Sequence, residues 1–151
     1  MSAKTIVLIE HAGAKVKGPS LHSITAAQQL GDNYVLLLLG RGLNEIAKSL
    51  TTFGASAVLV ADDVSLAEPL ADRYAKVIAD AFEKAGATTL VATASTFSKD
   101  ILPRAAALLD APMLSEVLAI ENKNGATSYR RPINAGSILA TVQLSGDRRV
   151  L

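Results

Sequence analysis

Two segments of this chain carry side chains whose types and spacing could do chemistry. One is Glu10-His11; the other is Thr93-Ala94-Ser95-Thr96-Phe97-Ser98-Lys99-Asp100-Ile101-Leu102-Pro103-Arg104. A glutamate beside a histidine at the end of an apolar strand could touch a ligand, or it could be a loop or interface histidine. His11 and His22 are the only histidines, and neither stands at metal-ligand spacing from another histidine or a cysteine. The second segment runs from an apolar strand through a small polar turn into a helix, and such turns are where ligands and partners meet an open parallel sheet. Lys99 and Arg104 near that helix start could hold an anion, where free amides and the helix dipole favour negative charge. The alternative is that they are ordinary exposed basic residues.

The remaining search is mostly exclusion. Asp62-Asp63 follows a strand but lacks the second acidic strand end and the later lysine of a phospho-acceptor pocket, so it reads as a solvated loop. Gly40-Arg41-Gly42 is too short for a phosphate cradle. The chain contains no G-x-x-x-x-G-K-[ST] loop, no G-x-G-x-x-G after the first strand and no G-x-S-x-G elbow. It also has no cysteine, hence no disulfide, thiolate nucleophile or cysteine-held cluster. Electrons handled by this protein would have to travel on a bound cofactor.

The elements that must position these residues alternate along the first two thirds. Residues 5–9, 34–39, 57–61 and 89–93 are short, apolar and rich in Val, Ile and Leu, as expected for parallel strands covered on both faces. Between them, Ser20 or Ser23 can cap a helix that turns Ile24, Ala27 and Leu30 inward, with Gly31 at its left-handed end. Leu43, Ile46, Ala47 and Leu50 repeat the helical spacing, and Gly54 stands just beyond Phe53. Pro69 fits the first turn of a third helix whose stripe is Leu70, Tyr74, Val77, Ile78, Ala81, Phe82 and Ala85, ending at Gly86. Ser98 is the expected cap of a fourth helix reaching about Leu109. Pro103 lacks an amide hydrogen and crowds the preceding turn, so that helix should begin irregularly or restart there.

After Pro112 the pattern changes. Residues 114–120, 128–133 and 138–144 read as strands, with Asn122-Lys123-Asn124-Gly125 a turn between the first two. The expected fold is a single three-layer α/β/α domain over 1–151, with a mainly parallel, doubly wound sheet and an antiparallel C-terminal extension over 112–151. Right-handed crossovers give the parallel strands the order third, second, first, fourth, and the strand at 114–120 should lie beside the fourth. Arg148-Arg149-Val150-Leu151 begins another apolar strand, which predicts one domain of a longer polypeptide.

At 151 residues, half of them apolar, the chain can bury one substantial core. Its net charge of +1 argues against nucleic acid as a partner. No apolar run approaches the roughly 20 residues of a membrane-spanning helix, and the first residues show no secretory signal. A cytoplasmic or matrix location is expected, with no membrane insertion. From residue 122 onward Lys123, Arg130, Arg131, Arg148 and Arg149 face Asp147 alone. That imbalance is either a solvated hairpin or a basic edge for an acidic partner.

Four stretches then point to a family. They are Val7-Leu8-Ile9-Glu10-His11 with Ser23-Ile24-Thr25-Ala26-Ala27; Val58-Leu59-Val60-Ala61-Asp62; Ser98-Lys99-Asp100-Ile101-Leu102-Pro103-Arg104; and Arg131-Pro132-Ile133-Asn134-Ala135-Gly136-Ser137-Ile138-Leu139-Ala140-Thr141-Val142. In this order they resemble the amino-terminal domain of the electron-transfer flavoprotein alpha subunit. Asn134 and Ser137 depart from the family's usual tyrosine and asparagine. The resemblance implies an adenine nucleotide alpha hydrolase-like fold and a partner, the beta subunit. It implies an electron carrier and not an enzyme, loaded by dehydrogenases such as those oxidising acyl-CoA in fatty acid beta-oxidation and emptied by a membrane quinone reductase. It also implies FAD held mainly by a carboxyl-terminal half absent from this chain and AMP in the beta subunit. No flavin contact or catalytic residue is expected here. Ser95, Ser98, Lys99, Arg104, Arg130 and Arg131 are the candidate subunit or domain interface. A free-standing adenine-nucleotide-binding protein of the universal-stress type is the alternative; it needs a glycine-rich phosphate loop where this tail holds Asn134-Ala135-Gly136-Ser137 within strands.

Overall fold

A computed structural model describes residues 4–31 and 33–151. Its central sheet contains β1 (Thr5–Leu8), β4 (Tyr34–Gly40), β5 (Ala57–Asp62), β6 (Thr89–Val91) and β10 (Arg149–Val150), all parallel, in the order β10-β6-β1-β4-β5. The expected order of the first four strands is therefore found. Helices α1 (Ser20–Leu30) and α2 (Asn44–Leu50) cover one face, and α3 (Ala71–Ala85) and α4 (Thr96–Leu108) cover the other. The period-2 geometry of a strand makes this division. Ile6, Leu8, Val35, Leu37 and Leu39 pack with Tyr74, Ile78, Phe82, Ile101 and Leu102. Val7, Ile9, Leu36 and Leu38 pack with Ile24, Ala27, Ile46 and Leu50. The fold is a three-layer α/β/α sandwich.

The tail departs from expectation in two ways. The strand beside β6 is β10, not residues 114–120, and the antiparallel strands form a sheet of their own. That sheet comprises β7 (Ala119–Lys123), β8 (Ala126–Ile133) and β9 (Ile138–Val142). Residues 112–114 instead run along β10, where Leu114 donates to the Val150 carbonyl at 2.9 Å and Val150 to that of Pro112 at 2.9 Å. Tyr129, fully buried on β8, docks the small sheet through a third cluster with Val91, Leu114 and Leu151. Its hydroxyl accepts from Arg149 Nη1 at 3.3 Å.

Several helix boundaries also differ, each for a local reason. Ser20 and Ser23 do not cap α1: Ser20 Oγ accepts from the Glu10 amide at 3.0 Å, and Ser23 Oγ pairs with Thr93 Oγ1 at 3.0 Å. Gly31 ends α1 at φ 148°, outside the left-handed helical well, whereas Gly54 (φ 75°) and Gly86 (φ 61°) do adopt it. Pro69 precedes α3, which begins after the extended Leu70, and Leu70 is exposed. Ser95, and not Ser98, is the N-cap of α4. The helix runs unbroken through Pro103 because Ile101, Leu102, Ala105 and Ala106 around it are buried in the core. Asn124-Gly125 makes the β7–β8 turn at φ 51° and 79°, as the dipeptide predicts. Residues 134–137 form the β8–β9 turn instead of lying within strands.

Asp62 and Asp63 do more than face solvent. Asp62 accepts from the Gly42 and Leu43 amides, both at 2.8 Å, and so ties the end of β5 to the start of α2. Asp63 accepts from the Ser65 amide at 2.8 Å and starts the turn at Val64–Leu66. Those backbone bonds to Leu43 and Gly42 hold the Asp62 carboxyl below its ordinary range. A group depressed in the folded state binds protons less readily than in the unfolded chain, so its stabilisation is present above about pH 4 and is lost as pH falls below that. Asp62→Asn is therefore expected to lower the melting temperature at neutral pH, with the difference from the native chain shrinking in acid. Melting curves across pH check this; a constant difference at every pH would contradict it.

Candidate functional site

The polar turn after β6 is built by its own side chains. Ser95 Oγ accepts from the Ser98 amide at 3.2 Å while the Ser95 amide donates to Ser98 Oγ at 3.1 Å, a reciprocal capping box. Ser98 Oγ also donates to the Thr93 carbonyl. The Ser23–Thr93 pair then fastens the turn to α1. Both serines thus serve the helix start, and their hydroxyls are engaged within the protein.

Beside this turn lies a cleft of about 390 Å³ between α1, the end of β6 and residues 113–120. Its walls are mainly apolar, including Ala26, Val91, Leu102 and Ile120, and Lys99 and Glu116 stand among its polar residues. Lys99 Nζ bonds Glu116 Oε1 at 2.6 Å. That bond and the lysine's charge hold the Glu116 carboxyl below its ordinary range, and the Arg131 charge adds to the effect. Glu116 adopts φ 60°, a left-handed conformation uncommon for residues other than glycine. Arg131 Nε is buried without a hydrogen-bond partner among the described residues.

The structure thus gathers Lys99 and Arg131 about Glu116, near the turn that holds Ser95 and Ser98. It does not gather the other two candidates. Arg104 Nη1 bonds Asp72 Oδ1 at 2.9 Å, joining α4 to α3. Arg130 is exposed on β8, one residue before Arg131 and therefore on the opposite face. Glu10-His11 is drawn into local structure. Lys17 pairs with Glu10 at 2.5 Å, and His11 Nε2 donates to the Leu39 carbonyl at 2.9 Å. A Cβ at Gly40 would lie 3.1 Å from that imidazole nitrogen, so glycine there makes room for the ring. The short hairpin β2 (His11–Ala12) and β3 (Lys15–Val16), which the apolar patterning does not predict, completes this corner.

Sequence reasoning misses Glu116 and the apolar surface next to it. Leu118 is 66% exposed and lines a shallow depression with Pro132, Ala135 and Gly136. The adjoining hairpin exposes Ile133, Ile138 and Leu139. The consecutive Ile138-Leu139 is a usable signal: in a strand with one solvated face, two adjacent large apolar residues cannot both face the core.

The fold and the composition of this site define a doubly wound domain with a small antiparallel sheet. The chain belongs to the electron transfer flavoprotein domain family, whose model matches residues 5–151. It is similar to the mitochondrial electron transfer flavoprotein alpha subunit of Oryza sativa subsp. indica, 39% identical over 150 residues covering 95% of this chain and 41% of that protein. The alpha subunit of Pseudomonas aeruginosa is 33% identical over 147 residues, covering 97% of this chain and 46% of the relative. That of Bacillus subtilis is 28% identical over 144 residues, covering 94% and 44%. The chain spans less than half the length of these curated relatives.

Proposed function

We propose that this chain is the amino-terminal platform of an electron-transfer flavoprotein alpha subunit, which docks a beta subunit and orients a flavin-bearing domain lying outside these residues. Electron transfer falls steeply with distance, so a carrier must present its cofactor closely to donor and acceptor in turn, and a movable flavin domain needs a fixed base. The observation that best supports this reading is the surface joining Leu118, Pro132 and the β8–β9 hairpin to Lys99, Glu116 and Arg131. Apolar residues are exposed there beside charged ones, the composition of an interface with an apolar centre and a polar rim. Dehydrogenases such as those acting on acyl-CoA would load the assembled protein, and a membrane quinone reductase would unload it. The setting would be bacterial cytoplasm or mitochondrial matrix; relatives come from both mitochondria and bacteria. No described helix is long and apolar enough to cross a membrane.

The polar side chains at the start of α4 do not fit a dinucleotide. The Ser95 and Ser98 hydroxyls at the start of α4 are bonded within the turn, and Lys99 is bonded to Glu116, so these groups of the cleft offer no set of free donors for a pyrophosphate. FAD, and AMP on the beta subunit, are accordingly assigned to parts of the assembly outside this chain. Purified by itself, the 151-residue chain is expected to be colourless after desalting. Co-expression with an electron-transfer flavoprotein beta subunit is expected to yield a co-purifying complex. Stoichiometric flavin retained by the chain alone would overturn the cofactor assignment, and failure to bind beta in any form would overturn the docking role.

A further inference from the structure

The short strand β10 is bonded on both sides. Toward β6, Leu151 donates its amide to the Leu90 carbonyl at 2.9 Å, and its own carbonyl accepts from the Ala92 amide at 3.0 Å. Toward residues 112–114, Val150 donates to the Pro112 carbonyl and accepts from the Leu114 amide, both at 2.9 Å. Each neighbour runs on past Leu151. The amide and carbonyl of one extended residue turn to the same side, so the Ala92 and Leu114 carbonyls both face the line along which β10 points. Neither carbonyl, nor the Glu116 amide next along, has a hydrogen-bond partner among the described residues.

On that same line lies the cleft of about 390 Å³, and Leu151 is part of its wall. Ala26 of α1 borders it from one face of the sheet and Leu102 of α4 from the other. A helix on each face and an extended segment on each side are the surroundings of an interior strand of a doubly wound sheet.

We infer that the cleft is filled by the polypeptide that follows Leu151, which continues β10 between β6 and residues 114–116. This rests on the platform reading above, in which the chain leads on to a flavin-bearing domain, and the relatives leave ample length for it, since this chain covers only 41% and 46% of two of them. The existing bonds set the register. The first residue after Leu151 donates to the Leu114 carbonyl and accepts from the Glu116 amide; the second donates to the Ala92 carbonyl. Val150 packs into the cluster on the α3 and α4 face, and Leu151 into the one with Val91 and Tyr129. By the alternation of a strand, the first added side chain then points toward Leu102 and the second toward Ala26. The chain leaves the sheet beside the Ser95–Ser98 turn, which fixes the point where the flavin-bearing domain is tethered.

The test compares the 151-residue chain with the same chain lengthened by about six of the native residues that follow, roughly one strand, without flavin domain or beta subunit. The 151 residues contain no cysteine, and any in the added stretch is replaced by serine. Ala26→Cys then places a single thiol in the cleft wall, and Leu108→Cys, 54% exposed near the far end of α4, is the control. Maleimide labelling of Ala26→Cys is expected to slow about tenfold or more in the lengthened chain, with Leu108→Cys unchanged. The amides of the first two added residues are expected to resist hydrogen exchange as β10 does. Equal labelling of Ala26→Cys in both lengths, with the added amides exchanging freely, would overturn the inference. So would slowing by AMP or FAD in the 151-residue chain with none from the extension, which would make the cleft a ligand site. Should Ala26→Cys fail to fold, exchange of the added amides decides alone. Failure of the docking role would show separately, as loss of co-purification with the beta subunit.

Discussion

Truncating Tyr129 to alanine is expected to remove about 3–5 kcal/mol of stability, the range for losing a large buried aromatic side chain from a packed core. Tyr129 is fully buried and belongs to the cluster that holds the β7–β9 sheet against β6 and β10. The loss combines apolar area returned to water with the cost of the cavity left behind. Tyr129→Phe keeps the ring and removes only the bond from Arg149, for which about 1 kcal/mol is expected. Urea unfolding of both variants measures the difference. An alanine variant within about 1 kcal/mol of the native chain, well below the cost of a truncated core aromatic, would mean that the small sheet is not docked as described.

Reversing Arg131 to glutamate should have the largest effect on assembly. Arg131 lies near Glu116 with its Nε buried, so the variant sets one carboxylate beside another where Lys99 alone remains to balance them. Removing one member of a charge pair that a partner desolvates costs roughly 2–5 kcal/mol or more of binding, whereas changing a rim charge acts mainly on association rate and salt dependence. In a full-length alpha–beta complex, Arg131→Glu should weaken assembly strongly and raise the dissociation rate. Arg130→Glu, on the exposed opposite face, should mainly alter the salt dependence of association. Titration calorimetry with the beta subunit separates the two. Equal, negligible effects would remove the Glu116 cluster from the interface, and unfolding of the isolated Arg131→Glu domain would assign the residue to fold stability.

The interface candidates are only partly legible in the sequence. Ser95 and Ser98 stand out there as polar groups unexplained by core packing, yet the capping box uses both to satisfy amides at the start of α4. Arg104 looks like a companion of Lys99, but five residues along a helix turn a side chain to a different flank, and it meets Asp72 on α3. Glu116 is hidden because the apolar content of residues 114–120 reads as one strand. Residues 114–118 are instead an irregular segment with a left-handed residue, a conformation that no hydrophobic pattern announces.

What the sequence determined by itself was the parallel core. Continuous apolar runs such as Tyr34-Val35-Leu36-Leu37-Leu38-Leu39 can be buried only between two helical layers, and right-handed crossovers then leave few strand orders open, of which the observed one was expected. The tertiary structure alone decided the edges and the tail. Which strand lies beside β6 depends on long-range backbone pairing, in which the two residues of β10 supply the neighbour and residues 112–114 cover it, while a longer apolar segment nearby does not pair with β6. Local patterning records how a residue relates to its own element. Sheet edges, and charge clusters such as Lys99, Glu116 and Arg131, depend on which distant segments come together, and that is fixed by packing and hydrogen-bond satisfaction over the whole domain.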